Sequence, residues 1–123
     1  MSSLTTGQQA EREAEAFLRS EKFSIIERNF RTRYGEIDLI AEQGRLLVFV
    51  EVRMRNNPRF GSGADSVTPA KQRRIINSAE QFLKIHGTRR WDDYRFDVIS
   101  MSDVSGEHQG SDLDWIPGAF TLD

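Results

Sequence analysis

The chain of 123 residues contains no cysteine, only three prolines, and only three lysines among its seventeen basic residues. The absence of cysteine excludes disulfide scaffolds, thiolate zinc sites and cysteine nucleophiles. The longest uninterrupted apolar run lies at 46–50, far short of the about 20 residues that a membrane-spanning helix needs. The first residues lack the basic start and apolar stretch of a signal peptide. These absences indicate a soluble, cytoplasmic protein whose size suits one domain.

The basic residues are concentrated in the middle of the chain and are mostly arginines. The formal net charge is −2, but residues 28–74 carry ten basic and five acidic side chains. Residues 101–123 carry five acidic side chains and no basic ones. Because arginine pairs bidentately with phosphate better than lysine does, the central block suits a phosphate backbone. Charge alone is equally compatible with a solvated face held by ion pairs.

Hydrophobic periodicity predicts an α/β fold with a central mixed β-sheet flanked by helices. Helices are expected over residues 6–21 and from Thr68-Pro69, which suits a helix start, to about residue 85. Gln43-Gly44 provides a hairpin turn between two strands. Polar loops are expected at 55–67 and 102–114, and residues 115–120 form either a final strand or a packed tail. Strands are expected at 23–27, 35–42, 45–54 and 94–101.

The segments GEIDLIA at 35–41 and VFVEVRMR at 48–55 place acidic residues on two strands that are predicted to pair. Alternate side chains of a strand share a face. Glu51 and Arg53 are therefore neighbours on one face, and Asp38 can lie on that face too. The same rule places Ile37 and Leu39 together on the other face of their strand.

This arrangement of acidic groups has an electrostatic cost. Two carboxylates about 4 Å apart repel by about 4 kcal/mol at an effective dielectric of 20. A proton, an arginine or a divalent cation must therefore compensate Asp38 and Glu51. Mg²⁺ is a hard cation that takes such oxygen ligands. The alternative is an ion pair of Arg53 with either carboxylate and no chemistry.

The two segments resemble the core of the PD-(D/E)xK nucleases. Over residues 7–120 the chain resembles the YraN-like family of small bacterial restriction-endonuclease-like proteins, which are related to archaeal-type Holliday-junction resolvases. The resemblance implies a single restriction-endonuclease-like domain over residues 1–123. Besides the two central segments it includes Gly7-x-x-x-Glu11-x-x-Ala14, Glu27-Arg28-Asn29, Lys71-Gln72-Arg73, Arg95-Phe96-Asp97-Val98 and Ala119-Phe120.

The resemblance implies a nuclease site that uses a divalent cation, Mg²⁺ or Mn²⁺. Asp38 and Glu51 would be its catalytic, metal-binding carboxylates. The main-chain carbonyl of Val52 and the helix carboxylate of Glu11 would be further ligands, although Glu11 is equally interpretable as an exposed charge near a helix start. Arg53 stands where the nuclease pattern usually has lysine. Since arginine stays charged, it suits phosphate binding and water orientation in catalysis but not a general-base role.

Cationic, aromatic and amide side chains near the motifs are the candidates for nucleic-acid contacts. Tyr34 can stack on an unpaired base. Gln72 either hydrogen-bonds a metal-bound water or is a plain surface residue. Glu36 is either a further carboxylate near the site or, as we favour, the partner of a neighbouring arginine. The full candidate set is Arg31, Arg33, Tyr34, Arg55, Arg59, Lys71, Gln72, Arg73 and Arg74.

Three functions are consistent with these observations. The first is binding and metal-dependent cleavage of DNA, with branched or single-stranded DNA among the expected substrates and no membrane partner. The second is a non-catalytic nucleic-acid-binding module on an eroded nuclease scaffold. The third is a protein-interaction adaptor that uses the acidic segment 103–114. Because junction substrates are two-fold symmetric, a homodimer is a further expectation.

Overall fold

The computed structural model describes residues 6–55, 67–87, 89–102 and 112–121. The strands form a single sheet in the order β1-β2-β3-β4-β5, in which β3 and β4 are parallel and the other neighbours antiparallel. The predicted α/β fold with a mixed sheet flanked by helices is therefore confirmed. The elements are α1 (Thr6–Ser20), β1 (Ser24–Thr32), β2 (Gly35–Gln43), β3 (Leu46–Arg55), α2 (Pro69–His86), β4 (Asp93–Ser102) and β5 (Asp112–Phe120).

Local sequence signals account for both ends of α2. The Thr68 side chain accepts a hydrogen bond from the backbone N–H of Lys71, and Pro69 occupies the first turn, where its missing N–H costs nothing. Gly87 ends the helix with a φ of 81°, and its N–H donates to the Leu83 carbonyl. Neither helix of the described ranges has both the length and the apolarity that a membrane crossing requires.

The two helices pack on opposite faces of the sheet. On the α2 face the core includes Ile40, Phe49 and Phe96. On the α1 face it includes Leu39 and Val50, together with residues of β4. The central strands are buried on both faces, so their sequences are nearly continuous apolar runs.

Strand β1 is longer than the predicted strand at 23–27. It continues to Thr32 because it pairs along its length with β2, although residues 28–32 are mostly polar. Residues 115–120, predicted as either a final strand or a packed tail, belong to β5. This strand begins at Asp112, inside the predicted loop at 102–114. Residues 103–111 and residues 56–66, which include Arg59, lie outside the described residues.

The prediction that Ile37 and Leu39 share a face is wrong. Ile37 packs in the core beneath α2, whereas Leu39 packs in the core beneath α1. Between these positions Asn29 of β1, which lies between the Arg28–Leu39 and Phe30–Ile37 pairs, has a positive φ of 51°. This left-handed residue interrupts the regular geometry of the strand pair, so the two-residue alternation does not hold there.

Asp97 of β4 holds the edge strand β5 against the sheet. Its carboxylate is completely buried and accepts hydrogen bonds from Nε and Nη2 of Arg95 at 2.8 and 2.9 Å. It also accepts from Nε1 of Trp115 and from the backbone N–H of Gly118, both at 2.9 Å. The buried charge is thus fully hydrogen-bonded, and its three partner residues have Asp97 as the acceptor of these hydrogen bonds.

Candidate functional site

Asp38 lies where β2 and β3 separate. The ladder of paired residues between these strands ends at Leu39 and Val50. Beyond it, Oδ2 of Asp38 accepts the backbone N–H of Val52 at 2.8 Å. The carboxylate therefore occupies the position of a strand partner for β3 and is held in place by the backbone.

Three carboxylates converge at this point. Glu11 of α1, Glu36 of β2 and Asp38 each offer an oxygen atom, and these atoms all lie within 4.8 Å of one another. All three side chains belong to half-buried residues. Carboxylate oxygens are the ligands that Mg²⁺ and Mn²⁺ prefer, so the chemistry of this set suits a hard divalent cation.

Asn29 holds two of these carboxylates and was not assigned a role from the sequence. Its Nδ2 donates to Oε1 of Glu11 at 3.2 Å and to Oε2 of Glu36 at 3.1 Å. Its left-handed backbone is uncommon for a residue other than glycine, and asparagine tolerates it better than most. The only signal in the sequence was its place in the Glu27-Arg28-Asn29 segment of the family resemblance.

Glu51 is buried beside this cluster, with only 4 % of its surface exposed. Its Oε1 lies 3.3 Å from Nζ of Lys71 on α2. Its Oε2 is buried and has no hydrogen-bond partner within the described part of the chain. Buried polar oxygens are nearly always satisfied, so this atom marks a place where a cation or water is needed.

The electrostatics of the site favour a bound cation. The pKa of Asp38 is raised to about 7, chiefly by burial and next by the nearby charge of Glu51, while the N–H of Val52 opposes the shift. Burial also raises the pKa of Glu51, against the opposing effects of Lys71 and Arg53. Strongly perturbed carboxylates of this kind concentrate at functional sites.

Of the three carboxylates predicted as metal ligands, two belong to the compact set of oxygens and one does not. Glu11 and Asp38 belong to the compact set, whereas Glu51 lies outside it among the described residues and acts on Asp38 through its charge. Glu36 joins the set and also forms the expected arginine pair, with Nε of Arg31 2.9 Å from its Oε1. Arg53 is half-buried on β3, next to the Glu51 carboxylate whose pKa it lowers.

The candidate nucleic-acid residues occupy two adjacent segments. Arg33 lies over the ring of Tyr34, 5.0 Å from its centroid, in the turn between β1 and β2. Lys71 and Gln72 lie in the first turn of α2, and Nε2 of Gln72 donates to the Val67 carbonyl at 3.0 Å.

Three further arginines belong to this set. Arg73 and Arg74 are exposed on α2. Arg55 ends β3, and its side chain lies outside the described residues. The pairing of Lys71 with Glu51 was not foreseen, because no local pattern links residues 20 positions apart.

A mixed five-stranded sheet with a helix on each face, and acidic residues gathered where two strands part, defines a restriction-endonuclease-like core. The sequence pattern described as "Uncharacterised protein family UPF0102" matches residues 10–101. The chain belongs to this family, the YraN family, which is a PD-(D/E)xK nuclease-like group.

Similar proteins match nearly the whole chain. A UPF0102 protein of Hahella chejuensis is 46% identical over 119 residues, which cover 97% of this chain and 92% of the relative. A UPF0102 protein of Nitrosospira multiformis is 44% identical over 116 residues, covering 94% and 92%. A UPF0102 protein of Vibrio parahaemolyticus is 41% identical over 115 residues, covering 94% and 91%.

Proposed function

We propose that this protein is a metal-dependent nuclease that hydrolyses phosphodiester bonds of DNA. The observation that carries the proposal is the buried Oε2 of Glu51, which has no hydrogen-bond partner among the described residues, beside the converging oxygens of Glu11, Glu36 and Asp38. An acidic cluster alone is common on protein surfaces. An orphaned buried oxygen next to one indicates that the fold leaves coordination capacity for a cation.

Asp38, Glu51 and Glu11 would hold Mg²⁺ or Mn²⁺, with Glu36 as an additional carboxylate and the Val52 carbonyl as the remaining predicted ligand. When bound, the cation supplies Lewis-acid activation of the phosphodiester and of the attacking water. Asp38 is kept in orientation by the Val52 N–H, so the site is preorganised before substrate arrives.

Two cationic side chains adjoin the carboxylates and can stabilise the phosphate. Arg53 stays charged and provides guanidinium donors for a phosphate oxygen. Lys71 brings an ammonium group to Glu51 from α2, so a lysine approaches the site although residue 53 is arginine. This geometry supports a catalytic site over an eroded one.

The candidate DNA contacts adjoin the site as one surface. A Cβ atom added to Gly35 would lie 3.6 Å from Cβ of Arg74, so the turn between β1 and β2 touches α2. Arg31 near the end of β1, Arg33 and Tyr34 in the turn, and Arg73 on α2 thereby extend the phosphate-binding surface. A single or branched strand placed there would bring a phosphodiester to the carboxylates.

Glu51→Gln is expected to lower metal-dependent DNA cleavage by at least about 100-fold, because it removes one charged ligand while keeping the side-chain volume. Cleavage of linear, single-stranded and four-way-junction DNA would be measured by gel electrophoresis with Mg²⁺ and with Mn²⁺. Glu80→Gln on the exposed face of α2 is the matched control. Undiminished cleavage by Glu51→Gln would refute the proposed mechanism.

The second candidate is a DNA-binding module without cleavage, and the arginine at position 53 favours it. In that case the wild type binds DNA in a salt-sensitive manner but cleaves none of these substrates. Arg53→Lys then separates the interpretations. Gain of cleavage would indicate an eroded nuclease site, whereas unchanged cleavage would indicate that arginine functions at this position.

Asn29→Gly is expected to weaken divalent-metal binding by about tenfold, since residues that orient metal ligands typically contribute 10–100-fold. Glycine accepts the positive φ without strain, so the variant removes the two hydrogen bonds to Glu11 and Glu36 and little else. Isothermal titration with Mn²⁺ measures the change, with exposed Asn77→Gly as a control for glycine substitution and Asn29→Ala as a test of strain. Wild-type affinity in Asn29→Gly would show that Asn29 does not position these ligands.

A further inference from the structure

A groove lies between α1 and β1, directly next to the carboxylate cluster. Its volume is about 550 Å³, and it shares Glu11 and Asn29 with the cluster. Three arginines line it together with amide groups and a small apolar floor. The arginines are Arg12, Arg19 and Arg28, and the lining also includes the carboxylates of Glu11 and Glu15.

Glu15 orients two of these arginines. Its Oε2 accepts hydrogen bonds from Nη2 of Arg19 at 2.9 Å and from Nη2 of Arg28 at 2.7 Å, and Oε1 accepts from Nε of Arg28 at 2.7 Å. The pKa of Glu15 is lowered to about 2, chiefly by the hydrogen bonds from Arg28 and also by Arg19, against the opposing effect of burial, so this carboxylate stays ionised. Two guanidiniums share one carboxylate, which leaves one positive charge uncompensated in a fixed position.

Arg12 adds a third positive charge to the groove. It is exposed on α1, and the described part of the chain provides it with no ion pair. The lining as a whole holds three arginines and the carboxylates of Glu11 and Glu15, so it carries a net positive charge next to a cluster that is anionic until a metal binds. A ligand that bridges both must present negative charge to the arginines and an oxygen to the metal, as a phosphodiester strand does.

We propose that the groove between α1 and β1 binds one strand of the nucleic acid on the side of the metal site opposite to the turn–α2 surface. This inference rests on the proposed function and specifies its substrate. A concavity of about 550 Å³ is in the size range that encloses one drug-sized molecule, so it accommodates about one or two nucleotides of a single strand and is too small to enclose a duplex. The apolar floor at Ala16 and Leu39 suits the sugar.

A strand held on both sides of the carboxylates has a consequence for the reaction. Arg12, Arg19 and Arg28 bind the chain on one side, and Arg31, Arg33 and the arginines of α2 bind it on the other. The phosphodiester at the carboxylates is then internal to the strand. Single-stranded regions such as gaps, flaps and the arms of open junctions satisfy this geometry.

The double variant Arg12→Gln/Arg19→Gln tests the groove without touching the carboxylates. Arg28 remains paired with Glu15 in this variant, so the groove keeps its shape. Lys84→Gln/Arg89→Gln is the matched control, because it removes two exposed positive charges at the far end of α2 and the following turn. Circular dichroism melting confirms that both variants fold.

Binding would be measured by fluorescence anisotropy with a single-stranded oligonucleotide of about 16 nucleotides, in EDTA and in Ca²⁺, over a series of salt concentrations. The groove variant is expected to raise Kd by about tenfold at low salt and to reduce the slope of log K against log salt by about 1.4, or about 0.7 for each lost phosphate contact. A duplex of the same length is expected to bind less tightly and to lose less affinity.

Three outcomes would overturn the groove assignment: a Kd and slope that match those of the control variant, an equal loss for duplex and single strand, or a wild type that binds no oligonucleotide. Its failure is distinguishable from failure of the nuclease mechanism. Asp38→Asn should retain groove-dependent binding in EDTA and lose cleavage. Cleavage that survives Asp38→Asn would refute the mechanism and leave the binding result in place.

Discussion

Replacing Asp38 with asparagine is expected to abolish metal-dependent cleavage and to make the metal-free protein more stable above pH 7. Asparagine keeps an oxygen that accepts the Val52 N–H, so the local strand geometry survives. It removes a buried charge whose ionisation is opposed by burial and by Glu51. We expect metal affinity to fall at least about 100-fold and the free energy of unfolding to rise by about 2 kcal/mol.

The pH dependence follows from the raised pKa. The pKa of Asp38 is about 7 in the folded protein and 3.8 in the unfolded reference. Between about pH 4 and 7 the folded state retains a proton that the unfolded chain has released, so stability falls as pH rises through this window. The raised pKa of Glu51 acts in the same direction. Divalent metal, which binds the ionised folded form, should reverse the loss.

Thermal melting over pH 5–8, with and without Mn²⁺, measures both effects. The wild type should lose stability with rising pH in EDTA and regain it with Mn²⁺, whereas Asp38→Asn should show a smaller fall and little response to metal. Asp93→Asn, at an exposed position at the start of β4, is the control. An equal Mn²⁺ response of wild type and Asp38→Asn would contradict a metal site at Asp38.

Asp97→Ala is expected to produce the largest loss of stability, about 3–5 kcal/mol, because it breaks a buried ion pair by removing one partner. The substitution leaves the Arg95 guanidinium, the Trp115 indole N–H and the Gly118 N–H without their acceptor. Asp97→Asn keeps one acceptor oxygen and should cost less. Both changes act on the attachment of β5 to the sheet.

Urea unfolding in EDTA measures this cost independently of metal binding. Asp92→Ala is the comparison, because Asp92 also pairs with an arginine, Arg45, but is exposed. A solvent-exposed pair of that kind contributes little to stability, because water and salt screen its charges. If Asp97→Ala were no more destabilising than Asp92→Ala, the hydrogen bonds of Asp97 would not be needed to hold β5 against the sheet.

Much of the fold follows from local sequence signals. Thr68-Pro69 starts α2 as predicted, and the hairpin predicted from Gln43-Gly44 forms between β2 and β3, with its turn one residue later, at Gly44-Arg45. These signals could be interpreted correctly because each depends on the conformational preferences of a few adjacent residues. The length of β1 was missed, since its polar second half becomes a strand only through pairing with β2.

The candidate site likewise has residues that the sequence predicted and contacts that it did not. Asp38 and Glu51 stand in short, specific segments, so their positions on neighbouring strands could be predicted. The contacts of Asn29 with Glu11 and of Lys71 with Glu51 join residues 18 and 20 positions apart. No periodicity encodes such contacts, because they depend on how α1 and α2 pack against the sheet.

The amino-acid sequence was sufficient to define the family, the α/β fold and the two strand carboxylates, because these depend on hydrophobic period, turn residues and motif spacing. Tertiary packing alone grouped Glu36 with Glu11 and Asp38, placed Lys71 against Glu51, and formed the arginine-lined groove beside them. The reason is physical: strand alternation assigns a side chain to a face, but twist, the left-handed Asn29 and helix docking set the distances between charged groups.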